Sequence, residues 1–487
     1  ALTFENAVLD TAATRFENGV SVRPYAALPS LHLTVAGDWE FEADPAWSYG
    51  IRYPADEARG YEGQEHHFSP GCFRLTMQPG GDAVLAASVS EPALDPERLW
   101  QEETEHRKPT GADTVRERLR HSARHFLFEA RGGRPSVLAG FPWFGEWGRD
   151  TFIALPGLTL ARDRLEECGV VLESALEFLD GGTLPNIYPD HYGSVDAALW
   201  FARAVRLYER AGAPMERIRE VFLPALAEVA FAYLDGIGDR VSALGIRVDE
   251  EGLLHAGRPD QNPTWMDAQT QAGPVTPRHG AAVELNALLY ALLAHLETID
   301  PTNRWAEPRR RLGASFLKRF WLDDRQHLAD VWRSGGADTA VRPNMVIAAA
   351  LEWSPLDRAQ RAAVVRRAEA ELLTPRGLRT LSPRHPDYAP RYGGGIEERD
   401  AAYHQGTVWP WLLGFFVEAS LRAFGPGPDV VARLRSHLDG FSDHLLEHGL
   451  LHVSEVFCGD APHRPGGTFA QAWSTAELLR AYSLLDV

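Results

Sequence analysis

The chain is poor in cysteine, in basic charge and in long apolar runs. Its 487 residues include three cysteines, Cys72, Cys168 and Cys458, far apart and without the paired spacing of a disulfide framework or a zinc knuckle. A disulfide-stapled fold is excluded, and a reducing compartment is expected. Forty-nine Lys and Arg stand against 67 Asp and Glu, a formal net charge of -18. So acidic a chain repels phosphate backbones and anionic lipid surfaces, so neither nucleic acid nor a membrane is an expected partner. No apolar run approaches the roughly 20 residues a bilayer helix needs, and the opening A-L-T-F-E-N lacks the basic and apolar regions of a signal peptide. A cytoplasmic location is the expectation. The chain opens on Ala1 and not Met, which points to a fragment or a processed form.

What is present is the composition of a globular protein, with 45% hydrophobic, 24% charged and 10% aromatic residues. At this length one large domain with a smaller companion is expected. In the first hundred residues apolar side chains alternate at Leu31, Leu33 and Val35 and again at Phe73, Leu75 and Met77, the period of half-buried strands. Residues 1–100 therefore read as a small, sandwich-like β domain. The polar stretch from Glu91 to Asp113, with Pro92, Pro96 and Pro109, reads as a linker or crossover.

From 101 to 487 the texture is helical. Leu285, Leu288, Leu289, Leu292, Leu293 and Leu296 form one apolar face, and Ala198, Leu199, Ala202 and Val205 form another. About twelve helix-sized segments start near 114, 150, 163, 195, 215, 281, 304, 342, 357, 402, 428 and 467. Twelve helices in antiparallel pairs fit a mainly α architecture, an (α/α)6 barrel of six hairpins whose inner helices line one crater. An α-solenoid is the competing arrangement, but no self-similar period of 30–50 residues is found.

Aromatic-rich and Gly-rich segments, each with an acid or amide, are left over from that pattern. In Phe141-Pro142-Trp143-Phe144-Gly145-Glu146-Trp147-Gly148-Arg149-Asp150, flat apolar faces beside an Arg and an Asp suit a sugar ring, with its C–H faces and hydroxyl edges. A buried aromatic corner with a structural Arg149–Asp150 pair is the plainer alternative. Asp196 and Trp200 lie four apart and share a helix face, although Asp196 by itself also reads as a helix cap. Asp267, in Thr264-Trp265-Met266-Asp267, has apolar neighbours that would raise a carboxyl pKa by desolvation, as a general acid requires. Read alone it is more readily a turn or cap residue. Tyr403-His404-Gln405-Gly406-Thr407-Val408-Trp409-Pro410-Trp411 places polar donors before two tryptophans. Ser454-Glu455-Val456-Phe457, followed by Arg464, sets an acid in a short Gly/Pro-punctuated loop, and Glu455 is a candidate second carboxylate.

Other chemistries find no support. His121 and His125, and His444 and His448, have the i, i+4 spacing of metal ligands but lack the Glu of H-E-x-x-H, and read as solvated helix faces. There is no G-x-S-x-G elbow, no phosphate loop and no dinucleotide fingerprint after a strand. The run Gly393-Gly394-Gly395 reads as a flexible loop lining the crater.

Together these segments resemble the amylo-α-1,6-glucosidase domain of glycogen debranching enzymes. The resemblance rests on W-F-G-x-W-G-R-D-T-F at Trp143 to Phe152, T-W-M-D at Thr264 to Asp267, A-V-E-L-N-A-L at Ala282 to Leu288, and H-Q-G-T-V-W-P-W at His404 to Trp411. It closes with S-E-V-F-C-G-D-A-P-H-R-P-G-G at Ser454 to Gly467 and Ala470 to Ser474. It runs in order over roughly residues 110–487, and the β segment is similar to the later part of the domain that precedes the barrel in this family. The resemblance implies a six-hairpin barrel related to glucoamylases and trehalases that hydrolyses α-1,6-linked glucose with inversion. It maps the general acid onto Asp267 and the general base onto Glu455, and the grip on the terminal sugar onto Arg149 and Asp150. Cys458 stands where many relatives carry Asp, which puts any polar role there in doubt.

The implied chemistry needs no cofactor and no metal, and its partner is glycogen or another branched α-glucan. Asp267 would protonate the leaving oxygen while Glu455 deprotonates a water attacking from the opposite face. Trp143, Phe144, Trp147, Trp200, Trp265 and Trp409 would supply apolar surface, and Arg149, Asp150, Asp196, His404, Gln405 and Arg464 hydrogen bonds. A glucoamylase- or trehalase-like exo-hydrolase would share the acid and base, and a non-catalytic glucan-binding protein would share the aromatics.

Overall fold

The structure is a computed structural model and describes residues 6–92, 95–107 and 114–486. The chain divides into two compact units, Ala1–Thr110 with Gly394–Ile396, and Gly111–Gly393 with Glu397–Val487.

The first unit is built of short antiparallel strands. β1 (Ala13–Phe16) and β2 (Gly19–Val22) form a hairpin with Phe16 opposite Gly19, and β3 (Leu31–Val35) and β8 (Leu85–Ser88) extend it to four strands in the order β1-β2-β3-β8. Val20 and Val22, two apart, point to one face and are buried, as the period of a strand requires. β4 (Trp39–Glu42) pairs with β7 (Cys72–Leu75), and β5 (Ala46–Arg52) with β6 (Gln64–Ser69). Phe41 faces Phe73 across the β4–β7 pair, with ring centroids 5.0 Å apart in an edge-on contact. The expected alternation at 31–35 and 73–75 falls in strands, whereas Met77 lies beyond β7. The stretch expected as a linker holds a helix, Pro96–Arg107, which opens on a proline whose missing N–H is not needed at that position. Pro109 and Asp113 lie outside the described residues.

The second unit is helical. Its main helices are α1 (Val115–Ala123), α2 (Gly148–Leu158), α3 (Leu165–Leu176), α4 (Ala197–Arg210), α5 (Leu223–Asp235), α6 (Val283–Ile299), α7 (Ala306–Phe320), α8 (Asn344–Ala350), α9 (Arg358–Glu371), α10 (Leu412–Phe424), α11 (Pro428–Asp439) and α12 (Ala472–Leu484). The even-numbered helices follow one another as packing neighbours, α2 on α4, α4 on α6, α6 on α8, α8 on α10, α10 on α12, and α12 back on α2, so the ring closes. Each odd helix packs against one or two even ones from outside.

This layering follows from the sequence. All of α2 is buried, and so is α12 from Ala472 to Tyr482, so these helices are covered all round. The odd helices bury a single stripe, as with Leu312, Phe316 and Phe320 in α7 or Leu434 and Leu438 in α11. Gly157 brings α2 and α12 together, since a Cβ there would lie 2.0 Å from the Ala476 carbonyl oxygen. The segment expected near 402 forms a short helix, Ile396–Tyr403, and the ring helix that follows begins at Leu412.

The connections are asymmetric. Those leading out of even helices are short, such as 159–164, 300–305, 351–357 and 425–427, whereas those leading into them are long, such as 236–282, 321–343, 372–411 and 440–471. Every segment singled out for its chemistry lies in a long connection or at the start of an even helix. Among the described residues no helix is long and apolar enough to cross a membrane.

Candidate active site

Short strands stitch the long connections together and so position the motif residues. Residues 134–141 pair with 144–146 and with Ala470–Gln471, which sets the Trp143–Trp147 loop beside the start of α12. A five-stranded sheet pairs Val408 with Phe457 and Val456 with Gly466, bringing the segment before α10 against the loop that carries Glu455.

At the centre is Arg149, in the first turn of α2 and 3% exposed. Its Nε donates to both oxygens of Asp196, at 2.9 and 2.8 Å, and its Nη1 donates to Asp267 Oδ2 at 3.0 Å. Asp196 stands at the N-cap of α4, yet its side chain makes no cap hydrogen bond. Its carboxylate is fully buried and serves Arg149 instead. A guanidinium so deeply buried is expensive to desolvate. Burial pulls its pKa down, but Asp196, Asp267 and Asp150 more than offset that, and the group is held firmly protonated.

Four carboxylates meet here and their environments differ. Burial pushes Asp150 up to about 8, with Glu455 and Asp267 adding to the rise and Arg149 opposing it. At neutral pH Asp150 therefore keeps a proton, and Gln471 Nε2 donates to its Oδ1 at 3.0 Å. Asp267 behaves oppositely. Burial acts to raise its pKa, but the neighbouring His404 and Arg149 outweigh burial and hold the carboxyl below its ordinary value. Its side chain is 36% exposed, against 3% for the residue Glu455 and 6% for Asp150, so Asp267 is the carboxylate a substrate can reach.

Glu455 is fixed by its neighbours. The Tyr403 hydroxyl donates to Oε1, and the Thr468 N–H donates to Oε2 at 2.8 Å. Gly467, at φ +68, leaves room for the carboxylate, because a Cβ there would come within 2.2 Å of Oε2. The preceding residue is anchored too, since the Ser454 N–H donates to His444 Nε2 at 3.1 Å. His444 is buried and not solvated as expected, and burial, helped by His448 and Arg376, pushes its pKa down to about 3, so it remains a neutral acceptor.

The other expected residues divide into two groups. Trp143 is 48% exposed, and Phe144 and Trp147 are half-buried, in a run of edge-on rings 6.4 and 5.9 Å apart. These present aromatic surface, and Arg464 is exposed on its loop. Trp200, Trp265 and Trp409 lie in the core instead. Trp200 meets Trp411 and Phe415 edge-on, Trp265 donates from Nε1 to Asn344 Oδ1 at 2.7 Å, and Trp409 stacks on His404. With each at most 2% exposed, these rings shape the wall from behind. His404 sits with Nε2 3.8 Å from Asp267 Oδ1, and burial lowers its pKa. Gln405 is committed to the protein, since its Oε1 accepts from Arg342 and its Nε2 donates to the Val275 carbonyl.

Sequence reasoning missed a second buried network behind the first. Arg278 donates from Nη2 to Glu284 Oε2 at 2.7 Å and from Nε to Asp330 Oδ2 at 3.0 Å, and Asn344 donates to Asp330 at 2.7 Å. Through Asn344 it holds Trp265, two residues from Asp267. Its one sequence signal was the Glu in A-V-E-L-N. Among the described residues no group of three or more His, Cys, Asp or Glu is placed to hold a metal ion. Cys72, Cys168 and Cys458 are free thiols, and Cys458 donates to the Tyr392 carbonyl at 3.8 Å.

An Arg-centred cluster of four carboxylates thus lies beside an aromatic loop at one end of a helical ring, and the class it belongs to is that of the glycoside hydrolases. The comparisons agree. The chain belongs to the amylo-alpha-1,6-glucosidase family, whose model matches residues 121–480, and residues 1–84 match the glycogen debranching enzyme N-terminal family. It is 27% identical to the glycogen debranching enzyme of Saccharomyces cerevisiae over 471 residues, covering 72% of this chain but 30% of that protein. The chain thus spans about a third of the curated relative's length. Among solved structures it is similar to a GH63 mannosylglycerate hydrolase from Thermus thermophilus in complex with Tris and D-glycerate, at TM-score 0.53 and 14% identity, covering 75% of this chain and 99% of that one. The same hydrolase in complex with glucose gives a TM-score of 0.54 at 16% identity, covering 74% and 99%. At such identities the likeness is one of fold.

Proposed function

We propose that this glycoside hydrolase removes single α-1,6-linked glucose units from the branch points of glycogen or limit dextrin, with inversion, in an (α/α)6 barrel. The observation that carries the reading is Asp267, the most exposed member of an acid cluster in which Asp150 interacts with both Asp267 and Glu455. The barrel is supported by the closed succession of even helices, and its lining by the start of each even helix.

In this reading Asp267 is the general acid and Glu455 the general base. Glu455, oriented by Tyr403 and the Thr468 N–H, takes a proton from a water that attacks the anomeric carbon, while Asp267 gives a proton to the departing oxygen. In the open site Arg149 and His404 keep Asp267 ionised. A sugar that displaces water from its exposed third strengthens the desolvation that raises its pKa, and this favours the protonated form. Protonated Asp150 donates where a carboxylate would repel, beside two other acids. Trp143, Phe144 and Trp147 offer faces for the terminal sugar, and the main glucan chain lies across the loops. The free thiols fit a reducing, cytoplasmic setting.

Glucose release from phosphorylase limit dextrin and from maltose tests the assignment. Release from limit dextrin at rates far above those on maltose supports it. Equal rates would move the activity to a glucoamylase-like exo-hydrolase, and binding without release to a glucan-binding protein.

A further inference from the structure

The short helix Ile396–Tyr403 brings two side chains to the acid cluster, Tyr403 to Glu455 and, one residue beyond its end, His404 to Asp267. Asp400 precedes them by three and four residues. At 3.6 residues per turn that spacing aims its side chain between the directions of Tyr403 and His404, one turn nearer the helix N-terminus. Arg399 and Ala402 face the core, Glu397, Glu398 and Ala401 face outward, and Asp400 is half-buried between the two sides.

The chain that follows Asp267 lies along this face. At one end His404 Nε2 is 3.8 Å from Asp267 Oδ1, and at the other the Gln271 N–H donates to Glu397 Oε1 at 3.3 Å. Residues 267–271 therefore run beside the helix from buried His404 out to exposed Glu397, and Asp400 falls midway. So placed, its carboxylate accepts no hydrogen bond and forms no ion pair among the described residues. Burial raises its pKa, Arg399 opposes the rise, and Glu397 and Asp267 add to it. Of the acid and the base, it is the acid whose charge reaches Asp400. A half-buried carboxylate without a donor is poorly compensated, and a ligand that brings donors relieves it.

The two sides of the scissile bond also differ. The terminal sugar falls to the buried pair Arg149 and Asp150, whereas the glycosidic oxygen meets Asp267, whose side chain is 36% exposed. An acceptor one helical turn further out from the acid faces the saccharide that leaves. We propose that Asp400 is a specificity-determining residue for that leaving saccharide, its carboxylate accepting hydrogen bonds from hydroxyls of the glucosyl unit that carries the branch. Vicinal hydroxyls of a pyranose offer two donors to the two carboxylate oxygens. The proposal rests on the reading of Asp267 as the general acid.

The test compares wild type, Asp400→Ala and Asp400→Asn on two substrates, a cyclodextrin bearing a single α-1,6-linked glucose stub and α-glucosyl fluoride, whose leaving group has no hydroxyls. A hydrogen bond to a charged acceptor corresponds to about 10–100-fold. Asp400→Ala should lose that much more kcat/KM on the stub than on the fluoride, and Asp400→Asn, which keeps a neutral acceptor, less. With no protein hydrogen bond removed, Tm should change by less than about 2 °C. Isothermal titration in a Glu455→Gln background, which stops turnover, should show the stub cyclodextrin binding more weakly by a similar factor, with glucose unaffected. Equal losses on both substrates, or a displaced pH–rate profile with an unchanged ratio, would mean that Asp400 acts on Asp267 or on the fold, and would overturn the proposal. A wild type that leaves the stub intact counts against the α-1,6 assignment instead. The titration, run with maltose against glucose, then decides the role of Asp400 by itself.

Discussion

Replacing Asp196 with Asn separates the two roles that this residue could have. As a helix N-cap, Asp and Asn are nearly equivalent, and the exchange should cost only a few tenths of a kcal/mol. As the fully buried partner of Arg149, the same exchange leaves a guanidinium short of its closest counter-charge, and breaking such a pair costs about 3–5 kcal/mol. Arg149 retains Asp267 at 3.0 Å, so the lower end, ~3 kcal/mol, is expected. Urea unfolding followed by tryptophan fluorescence should show a lower midpoint with an unchanged slope. A second consequence concerns activity. Freed from Asp196, Arg149 turns wholly to Asp267 and lowers its pKa further. A general acid must carry its proton, so the alkaline limb of the pH–kcat profile should move to lower pH. A variant indistinguishable from wild type in both stability and pH profile would refute the central place given to Arg149.

Asp267→Asn and Glu455→Gln should each lose about 10²–10⁴ in kcat with the far-ultraviolet spectrum unchanged, and Tyr403→Phe, which removes a donor to a charged acceptor, about 10–100-fold. Asp150 binds its proton more tightly folded than unfolded. Its contribution to stability is therefore complete below the ordinary carboxyl value of 3.8 and is lost as pH rises through about 8. Melting curves from about pH 4 to 9 should accordingly show Asp150→Asn with a flatter profile than wild type. Trp143→Ala should raise KM about 2–10-fold with Tm unchanged, whereas Trp200→Ala, in the core, should cost ~3–5 kcal/mol of stability. Gly467→Ala should reduce kcat to the level of Glu455→Gln, measured on the same substrate, because the new methyl occupies the carboxylate's place.

The helices were legible in the sequence as about twelve segments in antiparallel pairs, but their layers were not, since the inner helix α4 carries Arg203, Arg206, Glu209 and Arg210 while the outer helix α5 has only Glu228 and Asp235 as charged residues. The motif loops were legible as clusters of aromatics and acids. Orientation was not. Asp196 and Trp200 share a helix face by spacing, yet the first turns to Arg149 and the second to Trp411 and Phe415. An aromatic motif reads the same whether its rings face a crater or the core, and Trp265 and Trp409 took the core. Arg278, Asp330 and Asn344 come from separate parts of the chain, and only folding brings them together. The same holds for His444, whose spacing with His448 hid its contact with Ser454.

Glucose release from a cyclodextrin bearing a single α-1,6-linked glucose stub, by wild type and by Asp267→Asn, against a linear α-1,4 chain of equal concentration, tests the account most directly. The account predicts β-glucose as the first product from the stub, little from the linear chain, and near-total loss in the variant. Release of maltose or longer oligosaccharides first, equal rates on the linear chain, or an Asp267→Asn variant at wild-type rate would contradict it.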